Sequence, residues 1–286
     1  MMTLRFKIYT VVAAVAIVAY LILWTLLAHA ERTERVASAE FIAREMVANA
    51  DVTDSYIRKE VSPLLTHIGG GNLVFIPQSA GFYAVETEGR LIGQSLPGYR
   101  LRRVVLDSTG PADTPDAWER DAIMRLRGAG GGASFSEVRP GVGVSYVAPV
   151  RMREGACATC YPSLDSAPMG VRDAFGAAHG FGRHPGEIVG ATIATVPLPP
   201  PTPFFASLRF LAALVVLALA LIFCLLVELF VLRPLSRIAV VAERISMGAE
   251  GVEEFDTRRP GELGALAMSF NRLRRSMESA MALVDS

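Results

Sequence analysis

Residues 8–30 read IYTVVAAVAIVAYLILWTLLAHA, and residues 210–232 read FLAALVVLALALIFCLLVELFVL. The first run carries no formally charged side chain and the second carries only Glu228. As helices rising about 1.5 Å per residue, both are long enough to cover the roughly 30 Å hydrocarbon core of a bilayer. Both are therefore read as transmembrane helices, and they set the architecture. Arg5 and Lys7 before the first run, and Ala28-His29-Ala30 at its end, are features shared with secretory signals, but signal-peptide cores are only about 7 to 15 residues long. Glu228 stands about one turn from Arg233, close enough to the interface to snorkel. Arg5 and Lys7 precede the first span, and Arg233, Arg237 and Arg244 follow the second. The excess of positive charge on those flanks puts both termini in the cytoplasm and residues 31–203 outside.

The rest of the composition narrows the function classes. The chain has 286 residues, 51% of them hydrophobic, with 28 Lys+Arg balanced by 28 Asp+Glu, and a mean hydropathy of +0.37. A chain without a clustered excess of Lys and Arg has no electrostatic footprint for nucleic acid, so none is expected as a partner. No nucleophile with a matching base and no metal-ligand cluster stands out, so the chain is not expected to be an enzyme.

After the second span, Leu235, Ile238, Ala242 and Ile245 recur at spacings of three and four, which predicts a short amphipathic helix. Gly248, Gly251, Pro260 and Gly261 break the pattern. A second helix is expected from Glu262, where Leu263, Leu266, Phe270, Leu273 and Met277 form an a/d seam. Each stripe is too narrow to bury itself, so pairing with a second copy is expected. The Arg233-Pro234-Leu235 start, the Gly261-Glu262-Leu263-Gly264 turn and the Phe270-Asn271-Arg272-Leu273 end resemble the HAMP signal-relay module over roughly residues 232–283. That resemblance implies a homodimeric transducer in which residues 233–286 form a cytoplasmic HAMP module and residues 1–7 a short cytoplasmic N-terminus. No kinase, cyclase or nucleotide-binding motif follows, so the expectation is either output through a separate cytoplasmic protein such as a kinase or cyclase, or a truncated product.

Residues 31–203 suffice for one outer domain with its own core. Ala37, Phe41, Ile42, Met46, Val47 and Ile57 predict a helix continuing the first span and ending near Ser62, before Pro63. Strands are expected over residues 72–76, 81–85, 143–150 and 188–196, and a helix capped by Thr114 over residues 115–126. Mixed short strands and helices give an α+β class. Tyr56, Trp118, Phe75 and Phe181 are expected in the core, residues 128–132 form a glycine-rich loop, and residues 197–203 a stiff linker. Arg58, Arg100, Arg102 and Arg103 are candidate anion partners.

Cys157-Ala158-Thr159-Cys160 is the candidate chemical site. Two thiols at this spacing can form a disulfide, supply half of a zinc site, or take up the two vinyl groups of a haem. Zinc would need two further ligands, and the remaining cysteine, Cys224, lies in the second span. A structural disulfide suits an oxidising compartment. Covalent haem normally uses C-x-x-C-H, and the position after Cys160 is Tyr161.

Several blocks in order resemble the extracytoplasmic haem c sensor domain of PAS-like fold: residues 56–63 (YIRKEVSP), 75–79 (FIPQS), 98–102 (GYRLR), 115–119 (PDAWE), 157–168 and 180–191. The similarity runs over most of residues 36–198. It implies haem c held by thioethers from Cys157 and Cys160, sensing redox state or a small ligand. Tyr161 as a phenolate, or a displaced His184, His179 or His67, would then ligate the iron. The other outcome is a haem-free domain with a Cys157–Cys160 disulfide. The resemblance places the protein in the bacterial inner membrane, with residues 31–203 periplasmic and lipid around its spans. The alternative is a membrane-anchored c-type cytochrome or accessory subunit of an electron-transfer complex, which needs haem but no relay.

Overall fold

A computed structural model describes residues 4–68, 76–106, 114–128, 132–153, 163, 165, 182–246 and 262–284. The chain divides into two compact units, His29–Pro201 on the one hand and Met1–Ala28 with Thr202–Ser286 on the other. The architecture is mixed: helices and one antiparallel sheet in the first unit, helices alone among the described residues of the second.

Among the described residues, two helices are long and apolar enough to cross a membrane. The first, α1 (Leu4–Tyr56), runs on through a π turn (Ile57–Val61) into α2 (Ser62–Ile68). The helix does not stop at Pro63, as its sequence suggests. Proline lacks an N–H, and its ring would strike the carbonyl of Lys59 in an α-helix. The wider π turn carries Lys59, and the Ser62 N–H donates to the Ile57 carbonyl five residues back, so the chain passes the proline without unwinding.

In the first unit, a 3-10 turn (Pro77–Ser79) leads into α3 (Gly81–Ser95), then β1 (Arg100–Val105), α4 (Ala117–Gly128), β2 (Phe135–Arg139), β3 (Gly143–Arg151) and β4 (Ile188–Val196). The sheet order is β1-β4-β3-β2, antiparallel throughout. β4 is central and buried at every position. Pairs Leu101–Ala194 and Val144–Val196 face one side, and Val104–Ala191 and Val147–Ile193 the other.

Each face has its own helices. Ala39, Ala43, Val47 and Ala50 of α1 and Val85 of α3 cover the first, and Ala122, Ile123 and Leu126 of α4 the second. The buried stripe of α1 is made of small residues, which let a helix backbone come close to a sheet. Of the side chains expected to pack, only Val47 is fully buried, while Phe41 and Tyr56 are 64% and 59% exposed. Trp118 packs at the edge of the second cluster. Phe75 and Phe181 lie outside the described residues.

Residues 81–85, expected as a strand, open α3 instead. Val85 and Gly89 are buried at helical spacing, and a Cβ on Gly89 would collide with the Leu101 carbonyl oxygen. The helix lies that close to β1, and the β-prone Phe82-Tyr83 pair yields to this packing. Thr114 is not the cap of α4. The Asp116 side chain accepts from the Glu119 N–H at 2.7 Å while Glu119 accepts from the Asp116 N–H at 2.9 Å, a reciprocal capping box.

In the second unit, α5 (Pro203–Val227) passes through a second π turn (Glu228–Leu232) into α6 (Arg233–Ser246), and α7 (Glu262–Val284) follows. Within one chain α7 buries Gly264, Ala267 and Asn271, while Leu273 stays exposed. Glu228 does more than snorkel toward Arg233: it accepts a hydrogen bond from the Tyr9 hydroxyl at 2.8 Å and pairs with Arg5 at 3.3 Å.

Candidate functional site

Cys157, Cys160, Tyr161 and His179 lie outside the described residues, as do most of residues 154–181. The two ends of that segment are well defined. Met152, just after β3, donates its N–H to the Glu187 carbonyl at 2.8 Å and accepts from Gly186 at 2.7 Å. Glu187 is fixed by Arg127 and Arg183 at 3.3 and 3.2 Å, and Arg183 also donates to the Leu106 carbonyl at 2.9 Å. The Cys-bearing segment therefore leaves and rejoins the sheet at one closed root, between β3 and β4.

His184 sits at that root, exposed, with its backbone N–H on the Glu187 carboxylate at 3.3 Å. His67 is exposed near the end of α2. Among the described residues, no group of three or more His, Cys, Asp and Glu is placed to hold a metal ion. Cys224 is a free thiol on α5.

A charged cluster reaches the same root from the opposite direction. Asp54, near the end of α1, is almost fully buried, and its carboxylate pairs with Arg58 at 3.0 Å and with Arg103 and Arg153 at 3.5 Å each. Arg103 also donates to Asp51 at 2.7 Å and to the Thr192 hydroxyl at 3.0 Å. Three guanidinium groups thus meet two carboxylates, so a net positive charge is held at the point where Arg153 leads into the Cys segment. Arg103 is only 9% exposed, which fixes the cluster to the sheet.

Adjacent residues on a strand point to opposite faces. Arg102 accordingly binds both carboxylate oxygens of Glu119 on the α4 side, at 2.9 Å each. Arg102 is thereby a structural link between β1 and the capped start of α4. Arg100 lines a cavity of about 250 Å³ between β1 and α3. Of the four arginines singled out by sequence, Arg58 and Arg103 join the cluster and the other two do not. Asp51, Asp54 and Arg153 escaped sequence reasoning. The four-residue spacing of Asp54 and Arg58 was a readable signal, whereas the contacts to Arg103 and Arg153 are made only by folding.

A larger cavity of about 550 Å³ opens between the first π turn and α3, lined by Ile57, Gln78, Tyr83, Ala84, Thr87, Glu88, Leu91, Ile92, Ser95 and Leu96. Its walls are mostly apolar; Glu88 is half-buried, and its Oε2 atom is closed off from solvent without a hydrogen-bond partner.

Comparisons with known proteins agree with the division of the chain. The sequence model of the Tll0287-like family matches residues 30–197, and that of the HAMP domain matches residues 227–279. No curated protein matches. The crystal structure of the cyanobacterial heme-protein Tll0287 superposes with a TM-score of 0.42 at 19% identity, covering 54% of this chain and 93% of that one. With its family model matched over more than half of its length, the chain belongs to the Tll0287-like family and carries a HAMP domain behind that region.

Proposed function

We propose that the protein is a sensor of the bacterial inner membrane. In this reading residues 31–203 form a PAS-like periplasmic domain, residues 8–30 and 210–232 cross the bilayer, and a HAMP dimer over residues 233–286 relays the signal to a separate cytoplasmic output protein. The observation that carries it is the order of parts: a Tll0287-like region and a HAMP domain on one chain, with the apolar helix Pro203–Val227 between them. An electron carrier has no use for a HAMP relay, so the transducer reading is favoured over the anchored cytochrome.

The stimulus follows from the donor chemistry. Cys157 and Cys160 have the spacing that accepts two haem vinyl groups, and the one surplus guanidinium charge among Arg58, Arg103 and Arg153 suits a propionate. A bound haem c would supply an iron centre responsive to redox state or to a small gas. Tyr161, or else His184 or His179, would be its protein ligand. The chain's own task would be to hold that group beside the guanidinium groups of Arg58, Arg103 and Arg153, which Asp54 ties to the helix that enters the first span. A ligand acts on such a device only through unequal affinity for two states.

The test is a pyridine haemochrome spectrum with haem-stained denaturing electrophoresis, on protein made beside a cytochrome c maturation system. Covalent haem in the native protein, lost in a Cys157→Ser/Cys160→Ser variant, is the expected result. An unstained band with both thiols joined as a disulfide would overturn the haem reading and leave the transducer architecture standing.

A further inference from the structure

We propose that the rim formed by the start of α1 and the start of α6 binds the headgroup of an anionic phospholipid, held between Arg5 and Arg233. Charge is lopsided at this rim. Within residues 1–30 and 210–242 the cationic side chains are Arg5, Lys7, Arg233 and Arg237, and the one acid is Glu228. Four cations against one carboxylate leave a positive surplus for an external anion to meet.

Folding brings two of the four together. Arg5 pairs with the Glu228 Oε1 atom at 3.3 Å, and Arg233 stands 3.9 Å from the same oxygen, beyond hydrogen-bonding distance. The other carboxylate oxygen accepts from the Tyr9 hydroxyl at 2.8 Å. Glu228 thus gathers both arginines without consuming them. Each guanidinium carries five N–H donors, and the two side chains stay 50% and 60% exposed. Lys7 and Arg237 are exposed as well, and Arg237 follows Arg233 by one turn on the same face of α6. A guanidinium matches a phosphodiester through paired hydrogen bonds. Depth selects a lipid as the source: Arg5 lies just before one bilayer-length apolar run and Arg233 directly after the other, at the level of the headgroups. A headgroup seated there touches α1 and α6 at once, beside the entry to the HAMP match at residues 227–279. The site rests on the membrane reading above and is independent of haem.

The full-length protein in micelles is titrated with phosphatidylglycerol or phosphatidylcholine, and the first lipid bound is read by native mass spectrometry. Phosphatidylglycerol is expected to bind at least about tenfold more tightly, from about fivefold for each arginine. Arg5→Gln and Arg233→Gln should each lose about fivefold, and the double variant should bring the two lipids within about twofold of each other. Arg209→Gln, at the opposite end of the second apolar run, should leave the preference unchanged. Melting temperatures separate lost binding from lost fold. Equal affinities for the two lipids, a preference kept in the double variant, or the same loss in Arg209→Gln as in Arg5→Gln would overturn the proposal. Retention of the protein in carbonate-washed membranes tests the membrane reading by itself, so its failure and that of the lipid site are told apart.

Discussion

Asp54 is a single carboxylate shared by three guanidinium groups, and no other acid among the described residues is placed to replace it at Arg58 and Arg153. Asp54→Asn keeps the volume and removes the charge. Arg103 retains Asp51, so the loss should stay near about 1–3 kcal/mol, read as a fall of a few degrees in the melting temperature of the full-length protein. Arg100→Ala, at an exposed position, should stay within about 0.5 kcal/mol. A second acid sets a pH dependence. The hydrogen bond from Arg125 to Glu137, 2.8 Å long, and after it the charge of that guanidinium, hold the Glu137 carboxyl below its ordinary value of 4.5. A depressed folded-state value means stability that is fully present above the ordinary carboxylate range and lost as pH falls through the folded value. Because more than a third of the Glu137 side chain is exposed, the effect is small. Glu137→Gln should flatten the acid limb of a melting-temperature profile between roughly pH 5 and pH 3 and leave the neutral plateau in place.

The helices show how a short signal is overridden by context. Pro63 and Pro234 each occupy the second residue after a π turn, behind Ser62 and Arg233, and in both cases the residue before the proline donates its N–H five residues back, to Ile57 and Glu228. The proline explains the turn: an α-helical path would set its ring against the carbonyl of Lys59 or Phe230. Pro234→Ala removes that obstacle. Closing the π turn to α geometry changes the phase of everything downstream by one residue, about 100°, so disulfide crosslinking between single cysteines along α6, on a background lacking Cys224, should shift its maxima by one position. Packing decides α3 in the same manner. Gly89→Ala forces a Cβ against the Leu101 carbonyl oxygen and should cost about 1–3 kcal/mol as overpacking. These cases mark what the sequence alone could reveal. Long apolar runs, the Val-, Ile- and Thr-rich runs of β3 and β4 and the start of α7 at Glu262 were legible because each depends on local pattern. The strand β1 was not, since its Arg-rich run Arg100-Leu101-Arg102-Arg103 gains its partners, Glu119, Asp51 and Asp54, only on folding. The buried alanines of α1 were missed because small residues carry little hydropathic signal.

In the proposed transducer, the two apolar helices and a HAMP pair would have to move as parts of one device. At the start of α1 and the end of α5, Glu228 binds Tyr9 and Arg5, so the two helices are latched where the HAMP match begins. In such a pair, the surface of α7 expected to face the partner is the one that a single chain leaves uncovered. Gly264, Ala267 and Asn271 are buried within the chain, whereas Leu273, on the a/d seam, is 57% exposed. A seam leucine with no cover inside its own chain is the kind of residue that a second copy covers. Leu273→Asp should therefore leave the fold of one protomer untouched and abolish pairing, since burying each leucine contributes about 1.5–3 kcal/mol and the dimer loses two. Met268, exposed at 48% and off the seam, is the control: Met268→Asp should leave pairing intact. Interprotomer crosslinking of the full-length protein in membranes reads both variants, and equal crosslinking in the two would remove Leu273 from the interface and with it the two-chain relay.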